Sequence, residues 1–293
     1  MPESFELIEK FATSLQGQGK SPSTVHSYSR DIKNYFHFLN DAQLSLEDVD
    51  QDQMLAFVTW ISEKDRHNSV RRNIIGVRQF YRFLASEEPN GDSPFDHLPI
   101  PERDESLPEE LVIEDIEALE SVALSQPSKV KQSRDRAILF LLAFEGVKSN
   151  EIISIRHEDL LISSTTASIQ IQGNKKRSLS IGVESAQALR QYLSDLPQSE
   201  VIREIDIQAL FISFKGRNLS PNPIAMSRHG LKFLIYELGE AAGIPSLHSE
   251  LLRHFAIKHQ IGLGKTPQEI MSHFGLKRLG NIAKHINKSK SST

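Results

Sequence analysis

The sequence contains no cysteine at any of its 293 positions. This absence excludes disulfide bonds, thiolate metal ligands and cysteine nucleophiles. Long apolar runs are missing too, because no stretch approaches the roughly 20 residues that a membrane-spanning helix needs. The acidic, amphipathic start "MPESFELIEKF" lacks the apolar core of a signal peptide. We therefore expect a cytoplasmic protein with no membrane partner.

Basic residues are fewer than acidic ones, 34 against 38, and the net charge is -4. Taken alone, this value argues against a nucleic-acid partner, because phosphate binding needs clustered cations. The charge is segregated, however. Residues 87–120 carry thirteen acidic residues against one arginine, whereas residues 253–293 carry eight Lys and Arg against one glutamate. The chain therefore has an acidic middle and a basic end.

The pattern of residues 1–88 predicts four amphipathic helices. Apolar residues recur at helical spacing in "PESFELIEKFATSLQ", "SPSTVHSYSRDIKNYFHFL", "DQDQMLAFVTWISEKD" and "NSVRRNIIGVRQFYRFLASEE". Ser and Pro open the second helix, and Asp50 is placed to cap the third. Four such helices can bury a small core. We expect the aromatic pairs Tyr35 with Phe36 and Phe80 with Tyr81 to lie in that core.

Residues 89–108 are rich in proline and show no periodicity, which is typical of a linker. Residues 109–293 form the second predicted domain. It opens with two helices, continues with the alternating segment "TTASIQIQGNKKRSLSIG", which turns at Gly173 and Asn174, and adds the strand candidate "ALFISF". From Pro223 to about His285 the pattern predicts helices. The fold class is therefore mainly α, with a helical bundle followed by an α+β domain that holds a small antiparallel sheet.

The order and spacing of these segments resemble the tyrosine recombinases, most closely the Xer type, over nearly the whole chain. "SVRRNIIGVRQFYRFL" is similar to the last helix of the family's SAM-like core-binding domain. "AFEGVKSNEIISI", "IQGNKKRSLSI" and "ELLRHFAIKH" are similar to three motifs of its catalytic domain. The resemblance implies a protein that clamps duplex DNA between two domains. In the family, a tyrosine attacks the phosphodiester while two arginines, a lysine and histidine-type donors stabilise the phosphoryl oxygens.

Three of these phosphate-binding positions hold altered residues in this sequence. The first arginine falls on Lys148, which keeps the charge but loses the fork that grips two oxygens. The hairpin lysine falls on Gln172, which cannot protonate a leaving oxygen. The histidine of the "LLRH" box falls on Glu250, whose carboxylate repels phosphate.

The end of the chain departs further from the family. Leu276 stands for the later histidine, and His285 stands for the nucleophilic tyrosine. None of the five tyrosines follows the "LLRH" box, so none can replace it. Of the residues that hold the phosphate in the family, Arg253 alone is retained. The supporting acid of the family is also present, as Glu151. We therefore expect a protein that does not cleave DNA.

Double-stranded DNA is the expected partner, and an active tyrosine recombinase is a second one that the resemblance allows. No cofactor or metal is expected, because the pair His254 and His259 lacks a third ligand. The predicted DNA contacts are Arg71, Arg72, Arg78, Lys148, Lys175, Arg177, Arg253, Lys277 and Arg278.

Two alternatives stay open at this point. His285 could serve as an unorthodox nucleophile, since imidazole forms covalent intermediates. The protein could instead be a protein-interaction module that no longer binds DNA, which would fit its acidic balance. Only eight residues follow His285, with Ile286 the sole large apolar one. Since so short a segment is a marginal helix, we expect a monomer in the absence of DNA.

Overall fold

The computed structural model describes residues 2–87, 95–96, 98–102, 110–163, 167–172, 176–196, 208–214 and 224–276. The chain divides into two compact units, Met1–Ser106 and Leu107–Thr293, and each unit has its own hydrophobic core. Helices dominate both units, and the strands are short. The predicted fold class is therefore confirmed. Among the described helices, none is long and apolar enough to cross a membrane.

The first unit contains α1 (Pro2–Gly17), α2 (Pro22–Asp41), α3 (Gln51–Lys64) and α4 (His67–Glu87). The Ser21 hydroxyl accepts a hydrogen bond from the Thr24 amide and so caps α2. The Asp50 carboxylate accepts from the amides of the first turn of α3. Both caps satisfy backbone donors that have no partner inside the helix. The four predicted helices and their start signals are confirmed.

Aromatic side chains fill the core of this unit. Tyr35 and Phe80 are fully buried, Tyr81 is nearly so, and Phe36 packs against them. The hydroxyl groups of Tyr35 and Tyr81 lie 2.8 Å apart. Burial raises the pKa of both phenols, that of Tyr81 to about 12. These rings are therefore neutral core residues, as the sequence predicts.

The described part of the predicted linker packs onto the first unit. Phe95 and Leu98 are buried in its core. The Arg78 guanidinium donates to the carbonyl oxygens of both, at 2.9 Å from that of Phe95. Apolar residues separated by turns have no period, so the sequence pattern could not predict this packing.

The second unit is mainly helical as well. Its helices in chain order are α5 (Ile113–Leu124), α6 (Lys129–Ala143), α7 (Ser149–Ile152), α8 (Val183–Asp195), α9 (Arg228–Ala241), α10 (Ser249–Gly262) and α11 (Pro267–Phe274), with a short 3-10 helix at His157–Asp159.

Two small antiparallel sheets accompany these helices. One contains β1 (Leu160–Ile162), β2 (Ala167–Ile171) and β3 (Arg177–Ser180) in the order β1-β2-β3, with Ile169 opposite Leu179. The other pairs β4 (Ile212–Ser213) with β5 (Ile224–Ala225). The predicted pairing of β2 with β3 is confirmed, while its turn at Gly173 and Asn174 lies outside the described residues.

The sequence prediction was wrong at one strand and incomplete at another. Strand β5 lies in the stretch from Pro223 that was expected to be wholly helical, and β1 was not predicted. Strands of two or three residues are too short to show alternation. Their conformation comes from the ladder partner, which is β4 for β5 and β2 for β1.

Candidate functional site

Three segments of the second unit bring together charged residues of the three motifs that resemble the family's catalytic domain. Lys148 is the N-cap of α7, Arg177 opens β3, and Glu250 and Arg253 lie on α10. The charges of Arg177, Glu250 and Arg253, with that of Glu151, all act on the pKa of Lys148. The five residues therefore form one charged cluster, called the α7–α10 cluster below.

Arg253 is buried at the centre of the cluster, with 4% of its surface exposed. Its guanidinium donates to the carbonyl oxygen of Gly146 and, at 2.9 Å, to that of Phe274. The guanidinium also lies over the Phe274 ring, 5.3 Å from its centroid. Burial lowers the pKa of Arg253. In this arrangement the fork that could grip phosphate holds backbone carbonyls instead.

Arg177 is engaged in a similar way. Its two terminal nitrogens lie 2.8 and 3.1 Å from the Glu151 carboxylate oxygens, and its Nε donates to the His273 carbonyl oxygen at 3.1 Å. Glu151 also accepts from the Lys148 amide at 2.9 Å. Burial alone would raise the pKa of Glu151, but Arg177 and the Lys148 amide hold it below its usual range. The ion pair of Arg177 with Glu151 is thus largely enclosed, and it connects α7 and β3 to each other and to α11.

Lys148 is the more accessible cation of the cluster. Its side chain is 43% exposed, against 12% for that of Arg177, and its Nζ lies 4.0 Å from Glu151. Burial lowers the pKa of Lys148, while the carboxylates of Glu151 and Glu250 act in the opposite direction. Lys148 is therefore the cluster residue best placed to meet an anion from solvent.

The amide of Gln172 is already hydrogen-bonded outside the cluster. Its Nε2 donates to Asp159 at 2.8 Å, and the second oxygen of Asp159 accepts from the Arg156 amide at 2.9 Å. Sequence reasoning missed Asp159, which is buried. The one available signal was its position three residues after Arg156, which is the spacing of a capping carboxylate.

Of the remaining mapped positions, the two that the structure describes have simple structural roles. Glu250 lies exposed in the first turn of α10, where a carboxylate suits the helix dipole. The neighbouring His248 caps the same helix, since its Nδ1 accepts from the Leu251 amide at 3.0 Å. Leu276 packs on a small apolar cluster that includes Ile270 and Phe274.

Four predicted site residues lie outside the described residues: Lys175, Lys277, Arg278 and His285.

The arginines of α4 lie in the first unit and have internal partners. Arg72 donates to both carboxylate oxygens of Asp31, whose side chain is fully buried. Arg71 donates through Nε to the Pro101 carbonyl oxygen at 3.0 Å. Asp31 was missed, although a charged residue within the apolar stripe of α2 signals a buried ion pair. A cleft of about 270 Å³ beside these arginines is lined by Tyr28, Asn68, Arg71, Arg72 and Ile75.

The fold is an N-terminal SAM-like bundle followed by a unit of tyrosine-recombinase type. Residues 8–88 match the N-terminal SAM-like domain of phage integrases, and residues 111–290 match the phage integrase family. The chain therefore belongs to the phage integrase family, and the resemblance drawn from its motifs is confirmed.

Named relatives support this assignment. The tyrosine recombinase XerC of Roseiflexus castenholzii is 26% identical, and the alignment covers 98% of this chain and 91% of that protein. The tyrosine recombinase XerD of Oceanobacillus iheyensis is 24% identical, with 93% and 91% covered.

Solved structures show the same fold. The XerH site-specific recombinase in a post-cleavage complex with its difH substrate superposes with a TM-score of 0.72, at 14% identity, covering 92% of this chain and 77% of that one. A lambda integrase dimer bound to a COC′ core site gives a TM-score of 0.68 at 12% identity, covering 96% and 76%.

Proposed function

We propose that this protein binds double-stranded DNA without cleaving it, and acts as an architectural or regulatory factor in DNA recombination or integration. The observation that carries the proposal is the state of Arg253. It is the one clamp residue that the sequence retains, and its guanidinium is occupied by the carbonyl oxygens of Gly146 and Phe274. An enclosed guanidinium with these partners supports the fold more directly than it supports phosphoryl transfer.

The chemistry of strand cleavage explains why the other changes matter. The transition state gathers negative charge on the phosphoryl oxygens, and fixed donors must face that charge. Gln172 is engaged with Asp159, and its neutral amide is not acidic enough to protonate a leaving oxygen. Glu250 adds a negative charge to the cluster in which Lys148 is the accessible cation. The arrangement therefore suits holding DNA more than cutting it.

The family supports DNA as the partner. The XerH and lambda integrase structures with the same fold are complexes with DNA sites, and we extend that partner class to this chain. Lys148 and two arginines of α4 that line the cleft, Arg71 and Arg72, are the described residues proposed to contact phosphates, with Lys175, Lys277 and Arg278 added from the sequence. Arg78 is left out on the same ground as Arg253, because its guanidinium holds the carbonyl oxygens of Phe95 and Leu98. No cofactor or metal has a part in the proposal.

A covalent-trapping experiment tests the missing cleavage activity. We expect no DNA-linked protein on denaturing gels after incubation with nicked suicide duplexes, while an active Xer-type recombinase on its own site provides the positive control. A DNA-linked band that disappears in a His285→Ala variant would overturn the proposal. That result would establish the histidine as a nucleophile.

A further inference from the structure

Arg72 of α4 is held by a carboxylate that lies inside the first unit. Its Nε and Nη2 donate to the two oxygens of Asp31 at 2.9–3.2 Å. Asp31 belongs to α2 and is fully buried. Burial raises the pKa of this carboxyl group, while the hydrogen bond from Arg72 acts in the opposite direction. Because one whole edge of the guanidinium is occupied, its position between the two helices is fixed.

The other edge of the same guanidinium is available to a ligand. The Arg72 side chain is 33% exposed, and it lines the cleft beside α4. Asp31 takes the Nε–Nη2 edge, so the Nη1–Nη2 edge keeps two N–H groups for which the described residues supply no acceptor. Two parallel donors in a fixed plane are suited to bidentate recognition of a planar group.

Charge distinguishes the two arginines of the cleft. Arg72 is paired with a carboxylate, so the pair as a whole is neutral and attracts a phosphate only weakly. Arg71 donates to the carbonyl oxygen of Pro101, which carries no charge, so Arg71 keeps its full charge for a phosphate. A neutral pair with two free donors suits two neutral acceptors instead. Guanine presents such a pair in the major groove, at O6 and N7.

The face of α4 around Arg72 carries the kinds of side chain that bind base edges. Asn68, Arg72, Ile75 and Gln79 are spaced by four, three and four residues, which places them in one row along the helix. Each of them is at least partly exposed. Amides pair with adenine, arginine pairs with guanine, and apolar groups contact the thymine methyl group. The row therefore suits the major groove, which is wide enough to admit an α-helix.

We propose that Arg72 reads a guanine of duplex DNA through its Nη1–Nη2 edge, and that Asp31 is the positioning residue that orients the guanidinium. The inference rests on the proposed function, and it narrows the part of Arg72 there from a phosphate to a base edge. Arg71 remains the phosphate ligand of the cleft. The protein thereby gains a preference among DNA sequences.

Selection from a randomised duplex library tests this assignment. Duplexes bound by the full-length protein are sequenced, and the double variant Asp31→Asn with Arg72→Gln is treated in the same way. This variant keeps two groups that can hydrogen-bond and leaves no buried charge without a partner. We expect the wild-type protein to prefer guanine at one position by about five- to 150-fold. The double variant should lose that preference and keep those at other positions.

The matched control replaces another pair of an arginine with a carboxylate. Arg136 of α6 and Glu120 of α5 form a partly exposed ion pair in the second unit. Changing both residues to glutamine should leave the preference for guanine intact.

Asp31→Asn alone tests the positioning role and keeps Arg72. Asparagine has the same shape and retains one acceptor oxygen, but it leaves the charge of the guanidinium uncompensated. We expect the preference for guanine to fall, while the slope of log K against log salt steepens by up to about 0.9, the value for one added phosphate contact. A residue that only supported the fold would change neither quantity.

A modified base tests the contact from the side of the DNA. In the selected duplex, 7-deazaguanine removes the N7 acceptor and keeps the base pair. It should weaken binding of the wild-type protein by about three- to tenfold, and it should leave binding of the double variant unchanged.

The possible results separate this inference from the proposed function. Duplex binding without a preference for any base, or a preference for guanine that the folded double variant keeps, would overturn the inference and leave the proposed function standing. An equal loss of affinity for all sequences in the double variant would also overturn it, because Arg72 would then be a phosphate ligand. Absence of duplex binding at every salt concentration would overturn both.

Discussion

The guanidinium of Arg253 is bonded to the carbonyl oxygens of two segments that are 128 residues apart, at Gly146 and Phe274. Each carbonyl is left without its donor if the side chain is removed. A buried, unsatisfied polar group costs about 1–3 kcal/mol. We therefore predict that Arg253→Ala lowers the free energy of unfolding by about 2–5 kcal/mol, measured by urea denaturation.

The matched control for Arg253→Ala is Arg156→Ala, because Arg156 is exposed and forms a surface pair with Glu158. Its loss should change stability by less than about 1 kcal/mol. A normal urea midpoint for Arg253→Ala combined with a large loss of DNA affinity would contradict this prediction. That outcome would make Arg253 a phosphate ligand, as the family resemblance implies.

Glu250 is the second residue whose replacement is informative. Its exposed carboxylate favours the charged form of Lys148 by acting to raise its pKa, and it repels a phosphate that approaches the cluster. We predict that Glu250→Gln tightens duplex binding by about three- to tenfold, since a charge interaction of about 1 kcal/mol in solvent corresponds to this range. Fluorescence anisotropy at fixed salt measures the change. Glu184→Gln is the control, because Glu184 is exposed on α8 and its replacement should leave the affinity unchanged. Equal affinities for the two variants would show that the duplex binds away from the cluster.

At the scale of elements, α11 is held at its C-terminal end by a close approach to the loop after α6. Gly146 has a φ of 58°, and a Cβ atom built on it would lie 2.1 Å from Cε1 of Phe274. The ring therefore occupies the space that any other residue at position 146 would need. The same loop supplies the Gly146 carbonyl to Arg253.

This packing predicts different costs for two glycine substitutions. Gly146→Ala should destabilise the protein by about 2–4 kcal/mol, because it adds a clash to an unfavourable backbone conformation. Gly243→Ala is the control, since Gly243 has a φ of 75° and no atom within 4 Å of the added Cβ. It should cost only about 1–2 kcal/mol. Equal shifts in thermal denaturation would show that the contact with Phe274 does not hold α11 in place.

At the scale of the whole molecule, the net charge of -4 requires DNA binding to depend on local clusters of cations. We predict that duplex affinity falls steeply with salt, and that Lys148→Met lowers the slope of log K against log salt by about 0.9, the value for one phosphate contact. Lys10→Met, a change on the exposed face of α1, should leave the slope unchanged.

The structure also decides which variants can report on DNA binding. Arg72→Ala would leave Asp31 buried without its partner, and breaking a buried pair costs about 3–5 kcal/mol. Its affinity would then mix folding with binding, whereas the partly exposed Lys148 avoids this problem. Absence of duplex binding at every salt concentration would favour the protein-interaction module.

The sequence by itself determined that both units are mainly helical, the caps at Ser21 and Asp50, the strands β2 and β3, and the absence of a tyrosine after the "LLRH" box. These features depend on residue identity or on a short period along the chain, so they can be recognised without knowing what lies opposite. The tertiary structure alone decided the partners of the charged groups: Arg253 with two carbonyl oxygens, Arg177 with Glu151, and Arg72 with Asp31. It also decided the burial of Phe95 and the pairing of β4 with β5. In each of these cases the partner lies outside the local segment, and the close packing of the unit, rather than any repeat in the sequence, brings the two groups into contact.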